Sequence, residues 1–286
     1  MFLLELIKGI ILGIVEGLTE FAPVSSTGHM ILVDDMWLKS TNFLGSQSAF
    51  TFKVVIQLGS VFAAAWVFRE RFLEILHIGQ HKPEPSTSGD RRSKPRRLNL
   101  IHVLVGMVPA GILGFLFDDL IDQYLFRPMV VAAMLAIWGL IIIFVEKRNK
   151  SNRGFAHDNI INVSYKTILL IGFFQALAMI PGTSRSAATI MGAMILGLTR
   201  EAAAEFSFFL AIPTMLGATL LKVVKNFGGF TGYQWFLILL GMLISFIVAY
   251  IVIKKFMDYI SKHDFIPFGI YRIILAIIVF LYFGLK

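Results

Sequence analysis

Two short polar clusters stand inside otherwise apolar stretches, and they contain the residue types that could handle a phosphate group. Residues 16–29 read EGLTEFAPVSSTGH, and residues 182–186 read GTSRS. Ionisable side chains are costly at membrane depth, so their presence in an apolar segment indicates a functional site. Together the two clusters predict a site for an anionic substrate.

Two carboxylates in the first cluster predict a metal site. Glu16 and Glu20 are four residues apart, so they share one face of a helix. Like charges repel there, and an apolar segment adds a desolvation cost. A divalent cation, Mg²⁺ or Ca²⁺, would compensate, because Mg²⁺ takes one or two carboxylates together with phosphate oxygens. The alternative is that both glutamates end a helix at the water interface.

A turn of small residues follows, comprising Ser25, Ser26, Thr27 and Gly28. The N–H groups of such a turn and the dipole of the helix that it opens favour an anion. A serine hydroxyl there could cap the helix or attack phosphorus. His29 lies one helical turn beyond Ser26 and could take the serine proton or protonate the leaving group.

In the second cluster the outstanding residue is Arg185, whose guanidinium cannot shed its charge in apolar surroundings. A phosphate would satisfy both the guanidinium fork and the N–H groups of the turn. The alternative is an ion pair with the glutamates alone, which would still bring the two clusters together. The predicted phosphate-binding residues are Ser25, Thr27, Gly28, Gly182, Thr183, Ser184 and Ser186.

Composition places these clusters in a membrane protein. The chain has 286 residues, of which 57% are hydrophobic and 15% charged, whereas a soluble domain carries roughly a quarter charged residues. The net charge of +8 is concentrated in short interruptions between apolar runs, as in cytoplasmic loops, which argues against nucleic acid. Without cysteine there is no disulfide framework or thiolate nucleophile. No cleavable signal peptide is expected.

Six apolar stretches of roughly 20 residues are long enough to span the bilayer as helices. They are approximately 48–68, 98–117, 128–145, 203–224, 233–253 and 266–283. The polar clusters interrupt two further segments, 2–37 and 165–198, where proline and glycine break the helix. Irregular backbone at membrane depth requires protein or a wet cavity around it. The prediction is an all-α membrane protein with six transmembrane helices and two re-entrant helix–loop–helix hairpins.

The order of these elements indicates an inverted repeat. Each hairpin precedes three spans, and an odd number of spans turns the second copy upside down. The offset that aligns Pro23 with Pro181 also aligns Ser26 with Ser184, Phe50 with Phe208, Gly59 with Gly217, Pro109 with Pro267 and Gly111 with Gly269. We expect one membrane domain with repeats at about 1–146 and 160–286, whose hairpin tips meet near mid-membrane.

Basic residues predict the orientation. They cluster in an insert at 80–97, interpreted as a cytoplasmic loop, and in the links after the third and fifth spans. Because basic loops stay inside, both termini and the mouth of the first hairpin should face outward.

The motif EGxTEFxPxSSTGH at 16–29, together with PGxSRSxxT at 181–189, closely resembles the two signatures of the bacterial undecaprenyl-diphosphate phosphatase family, which is associated with bacitracin resistance. The segment Gln57-Leu58-Gly59 and the region of Pro267 are also similar to this family. The resemblance covers essentially the whole chain.

This resemblance implies dephosphorylation of undecaprenyl diphosphate to the monophosphate, which recycles the lipid carrier of peptidoglycan and other wall polymers. It also implies a divalent-cation-dependent homodimer in the plasma membrane, with an active site that opens outward. By the same resemblance Glu16 and Glu20 are the metal and acidic catalytic residues, Ser26 the nucleophile, His29 its acid/base partner, and Ser184 and Arg185 the phosphate clamp. Attack by Ser26 or by a water that a glutamate activates remains open.

Two other protein classes compete with this interpretation. The second class of lipid phosphatases has a Ser-Gly-His element that residues 26–29 imitate, but no His and Asp follow Arg185 at workable spacing. A transporter or lipid flippase would also suit an inverted repeat with broken helices. Phosphate release by purified protein separates that class from a phosphatase.

Overall fold

The computed structural model describes residues 2–75, 100–151, 163–225 and 230–285. Within these ranges the chain is helical and forms no β-strand. The helices are α1 (Phe2–Thr19), α2 (Ser26–Met30, continued by a π-helical stretch Ile31–Leu38), α3 (Thr41–Leu44), α4 (Ser46–Val67), α5 (Arg69–Ile75), α6 (Leu100–Tyr124), α7 (Pro128–Ser151), α8 (Tyr165–Leu177), α9 (Arg185–Ile195), α10 (Arg200–Lys225), α11 (Gly232–Ile260) and α12 (Ile266–Gly284).

Five of these helices, α6, α7, α10, α11 and α12, are long and apolar enough to cross a membrane. Each coincides with a predicted span, and the sixth predicted span falls on α4, whose apolar part is shorter (Thr51–Val67). The prediction of an all-α, multi-pass membrane protein is thus confirmed. The basic insert at 80–97 lies outside the described residues.

Several helices run past the ends predicted for the spans. Helix α6 continues to Tyr124 rather than 117, and α11 continues to Ile260 rather than 253. An apolar window ends where charged residues begin, but backbone hydrogen bonding continues until a breaking residue or a cap stops it. The link after the second span, which carries aspartates at positions 118, 119 and 122, is therefore helical.

The two interrupted segments form two helix pairs with matching turns. Helices α1 and α2 flank one turn, and α8 and α9 flank the other. The helix after each turn is capped by a serine with left-handed backbone, Ser25 at φ 74° and Ser184 at φ 71°. Each serine Oγ accepts a hydrogen bond from the N–H three residues on, of Gly28 at 3.2 Å and Ala187 at 3.3 Å. Such backbone costs about 1–3 kcal/mol per residue and concentrates at functional sites.

Helix packing is reciprocal between the two halves of the chain. Helix α1 packs against α11, and α8 packs against α6 in the corresponding way, while α7 packs against α12 and α4 against α10. At the α7–α12 crossing, a Cβ added to Gly139 would lie 2.8 Å from the carbonyl oxygen of Gly269, and the converse distance is also 2.8 Å. The two backbones therefore touch, as small residues permit between membrane helices.

A buried ion pair joins both halves at the end of α7. Glu146 is fully buried, and its two oxygens accept from Nε and Nη2 of Arg200 at 2.8 and 2.6 Å. Its Oε1 also accepts from the backbone N–H of Phe265 at 2.9 Å. One carboxylate thus links α7, α10 and the start of α12, and its loss would leave the partly buried guanidinium of Arg200 without its partner.

Candidate functional site

The two predicted turns lie in direct contact. Ser186, in the first turn of α9, donates from Oγ to the carbonyl oxygen of Ala22 at 3.0 Å. Arg272, in α12, donates to the carbonyl oxygens of Pro23 at 3.2 Å and Gly182 at 2.7 Å. The two polar clusters, far apart in sequence, therefore form one site.

A cavity of about 180 Å³ opens between the turns. Its lining residues come from both halves of the chain: Glu20, Ser26, Thr27, Gln57, Ala178, Gly182, Ser184, Arg185 and Met215. A neighbouring cavity of about 210 Å³ shares Ser26, Thr27 and Gln57 with it and adds the carboxylate of Glu16. The site thus consists of two adjoining cavities that share three residues, and since each is lined in part by ionisable side chains they are called the polar cavities below.

Glu20 stands between the hydroxyl and the guanidinium. Its Oε2 accepts from the Ser26 Oγ at 2.8 Å, and its Oε1 lies 3.5 Å from the Arg185 Nη2. The carboxylate is only 7% exposed, so the charge of Arg185 acts on it in a medium that screens poorly. Such a carboxylate can accept the proton of an attacking hydroxyl.

Arg185 is anchored to a backbone carbonyl on one side and faces Glu20 and the cavity on the other. Its Nη1 donates to the carbonyl oxygen of Ser207 at 2.9 Å, and its Cζ lies 5.3 Å from the ring centre of Phe21. Within the described residues its Nε and Nη2 make no hydrogen bond. A buried guanidinium with free donors at a cavity wall fits an oxyanion, which it binds by charge-assisted hydrogen bonds.

The surroundings of the Glu16 carboxylate bear on whether the site could hold a divalent cation. It is fully buried, and neither carboxylate oxygen has a hydrogen-bond partner in the described part of the chain. A buried carboxylate is costly unless it is paired, protonated or bound to a metal. No group of three or more His, Asp or Glu side chains suited to a metal occurs among the described residues. The described residues thus offer two neighbouring carboxylates, Glu16 and Glu20, and an ion such as Mg²⁺ bound there would have to complete its coordination with phosphate oxygens and water.

His29 has other partners than the predicted one. Its Nδ1 lies 2.8 Å from the carbonyl oxygen of Ser25 and therefore carries the hydrogen, since a carbonyl only accepts. Its Nε2 then accepts from the hydroxyl of Tyr271 at 2.6 Å, and the two rings stack at 5.5 Å. Both ring nitrogens are thus engaged, and Glu20 occupies the position beside Ser26 that sequence reasoning gave to His29.

The remaining predicted residues shape the turns. Gly182 adopts φ +92°, and a Cβ there would lie 2.6 Å from the carbonyl oxygen of Val131, so only glycine fits. Thr183 is fully buried, and its Oγ1 has no partner within the described residues. Gly28 packs beneath Leu135, where a Cβ would lie 3.1 Å from that side chain.

Sequence reasoning missed Arg272. This residue lies within the apolar stretch 266–283 and is fully buried. The sequence did contain a signal for Arg272, because a lone arginine in a membrane span keeps its charge and must find polar partners, as Arg185 must. Gln57 lines both cavities, and its one signal in the sequence was the family resemblance of the segment Gln57-Leu58-Gly59, since a single amide in an apolar helix is otherwise unremarkable.

The fold and the site together define a multi-pass membrane protein whose buried site brings the guanidinium of Arg185 together with the carboxylate of Glu20 at a cavity between two helix turns. Residues 9–278 match the family described as Bacitracin resistance protein BacA, and the chain belongs to this family. It is 63% identical over 286 residues to the undecaprenyl-diphosphatase of Staphylococcus epidermidis, covering 99% of this chain and 98% of that relative. It is 57% identical, with the same coverage, to the undecaprenyl-diphosphatase of Staphylococcus aureus.

Proposed function

We propose that this protein hydrolyses undecaprenyl diphosphate to undecaprenyl phosphate and inorganic phosphate. The observation that carries this proposal is the position of Glu20, which contacts the Ser26 hydroxyl on one side and faces the Arg185 guanidinium on the other. A transporter needs an anion-binding cation but no base in contact with a hydroxyl. The name shared by the relatives supports the same activity.

In the proposed reaction an oxygen nucleophile attacks the terminal phosphorus, and the bond from that phosphorus to the bridging oxygen breaks. Glu20 accepts the proton of the nucleophile, and undecaprenyl phosphate leaves with the bridging oxygen. The free donors of Arg185 bind the non-bridging oxygens, where charge develops. A divalent cation held by Glu16 and Glu20 supplies further charge neutralisation when bound.

The nucleophile is either the Ser26 hydroxyl or a water that Glu20 activates. Attack by Ser26 forms a phosphoserine, which a water then hydrolyses. We favour Ser26, because its Oγ already donates to Glu20 at 2.8 Å. Ser26→Ala should then abolish phosphate release, and rapid acid quenching of the wild-type protein should trap phosphate on Ser26. Retention of substantial activity by Ser26→Ala would favour water.

An apolar groove beside the site suits the prenyl chain. It has a volume of about 650 Å³ and runs between α6 and α8, with Leu120 and Leu177 among its walls. Met179 and Ile180 also line this groove. The preceding residue, Ala178, lines the cavity of about 180 Å³ between the two turns, which is called the catalytic cavity from here on. Adjacent residues of the turn after α8 therefore line the groove and the cavity. We assign this groove to the isoprene units nearest the diphosphate.

Chain-length dependence tests this assignment. Leu120→Trp should fill the groove and lower kcat/KM for the C55 diphosphate about tenfold or more, while hydrolysis of the C5 dimethylallyl diphosphate, which has a single isoprene unit, changes much less. Leu104→Trp on the same helix is the matched control, because both leucines are about half exposed (50% and 51%) but only Leu120 lines the groove. Equal effects of both variants would refute the assignment, and a changed oligomeric state in Leu120→Trp would assign the groove to a second copy.

Phosphate release tests the activity itself. Purified protein in nanodiscs should release inorganic phosphate from undecaprenyl diphosphate and leave the monophosphate. Movement of the intact diphosphate lipid across the bilayer without phosphate release would instead support the flippase alternative.

For the finer architecture we propose six spans and two re-entrant hairpins in an inverted repeat of about 1–146 and 160–286. The reciprocal pairing of α1 with α11 and of α8 with α6 supports this arrangement. We also propose that the protein is a homodimer in the plasma membrane and that its site opens to the outside. The positive-inside distribution of charge supports this orientation. Accessibility labelling of single cysteines in this cysteine-free chain tests the orientation.

A further inference from the structure

Arg272 is the largest fully buried side chain in the described part of the chain. Arginine stays charged in proteins, so burial in a membrane helix demands compensation. No carboxylate among the described residues forms an ion pair with it. Its partners are instead backbone carbonyl groups.

These carbonyls belong to both turns of the site. The Nη1 of Arg272 donates to the carbonyl oxygen of Pro23 at 3.2 Å, and its Nη2 donates to those of Gly182 and Thr183 at 2.7 and 2.9 Å. A fourth, longer contact of 3.5 Å reaches the carbonyl oxygen of Met134 in α7. The planar fork of arginine can serve several acceptors at once, which the single ammonium of a lysine cannot do in the same geometry.

The contacts of Arg272 determine the direction of a backbone N–H group in the second turn. In a trans peptide the C=O and the N–H of the next residue point in opposite directions. Because the Thr183 carbonyl points at Arg272, the N–H of Ser184 points away from Arg272, and both Gly182 and Ser184 line the catalytic cavity. A carbonyl turned into that cavity would repel a phosphate, whereas an N–H attracts it.

We infer that Arg272 is a positioning residue for the phosphate site. It holds carbonyl oxygens of both turns on the side away from the substrate, and this fixes the N–H of Ser184 and the start of α9 that carries Arg185. Arg272 does not touch the substrate in this arrangement, since it lines neither polar cavity. This inference rests on the proposed phosphatase function.

Kinetics per folded molecule test the inference. Arg272→Lys and Arg272→Gln, purified in nanodiscs, should lower kcat for farnesyl diphosphate by at least tenfold, measured against the amount of folded, monodisperse protein. Arg200→Lys is the matched control, because Arg200 also donates to buried oxygens but lines neither polar cavity. That control should lower the melting temperature and leave kcat per folded molecule unchanged.

A double-mutant comparison supplies a readout that a purely structural role would not move. If Arg272 acts through the turn that carries Arg185, then Arg272→Lys should cost much less in an Arg185→Ala background than in wild type. Unchanged kcat in both Arg272 variants, fully additive losses, or failure of both variants to accumulate as folded protein would each overturn the inference. Failure of the proposed function is distinct, because the wild-type protein would then release no phosphate in the same assay.

Discussion

Replacement of Arg185 gives the sharpest prediction about the site, because the structure separates its anchoring contact from its free donors. Its Nη1 is held by the carbonyl oxygen of Ser207, while Nε and Nη2 have no hydrogen-bond partner among the described residues. Nε is therefore available to the phosphoryl oxygens, and Nη2 joins it when a phosphate replaces its 3.5 Å ion-pair contact with Glu20. Charge grows on those oxygens and on the leaving phosphate as the P–O bond breaks, so both donors act mainly in the transition state.

The magnitude follows from these two donors. A hydrogen bond that involves a charged group contributes roughly 1.5–3 kcal/mol, so two contribute about 3–6 kcal/mol. Each 1.36 kcal/mol of transition-state stabilisation corresponds to a factor of ten in rate. Arg185→Ala should thus lower kcat by about 10²–10⁴-fold. Arg185→Lys keeps the charge but loses the fork, and it should fall between alanine and wild type.

The assay is steady-state release of inorganic phosphate from undecaprenyl diphosphate, with kcat and KM determined separately. Arg148→Ala is the control, since Arg148 is an exposed arginine at the end of α7 and should have wild-type kinetics. An unchanged kcat with a raised KM would show a uniform binding contact instead. If Arg185→Ala failed to accumulate in the membrane, Arg185 would be a structural counter-ion of Glu20, and the catalytic reasoning would be refuted.

Two further predictions concern the metal and the meeting of the turns. Glu16 has no hydrogen-bond partner for either carboxylate oxygen within the described residues. If a metal ion bound by Glu16 and Glu20 fills this role, EDTA should abolish activity and added Mg²⁺ or Ca²⁺ should restore it. Full activity in the presence of EDTA would contradict a metal at these two glutamates. Cysteines at Thr27 and Ala178 line one cavity from opposite turns, so a short bifunctional thiol reagent should join them within one chain, whereas cysteines at Thr27 and Leu104 should stay unlinked.

Sequence reasoning predicted the elements because the membrane imposes strong constraints on them. Apolar length predicted the long helices, and proline and glycine inside apolar stretches predicted both broken segments. Family membership, inferred from the two motifs, is confirmed. The helix ends were predicted less well, as the extension of α6 to Tyr124 shows, because hydropathy records where the bilayer ends rather than where the helix does.

Side-chain partners within the site could be predicted only in part. Local spacing placed His29 one turn from Ser26, but spacing does not reveal Tyr271, which comes from α12 and holds the histidine ring. The neighbour of Ser26 proved to be Glu20, because the turn between them folds the chain back on itself. The contact between His29 and Tyr271, by contrast, depends on the packing of the two halves of the chain, which a single sequence does not encode locally.

The two capping serines explain how similar turns supply different chemistry to one carboxylate. Ser25 and Ser184 have nearly the same φ, and each caps a helix through its own Oγ. The residue after the first cap is Ser26, and the residue after the second is Arg185, so equivalent backbone positions present a hydroxyl and a guanidinium. Both side chains reach the carboxylate of Glu20. In both halves, the side chain that contacts Glu20 therefore belongs to the residue directly after a capping serine with positive φ.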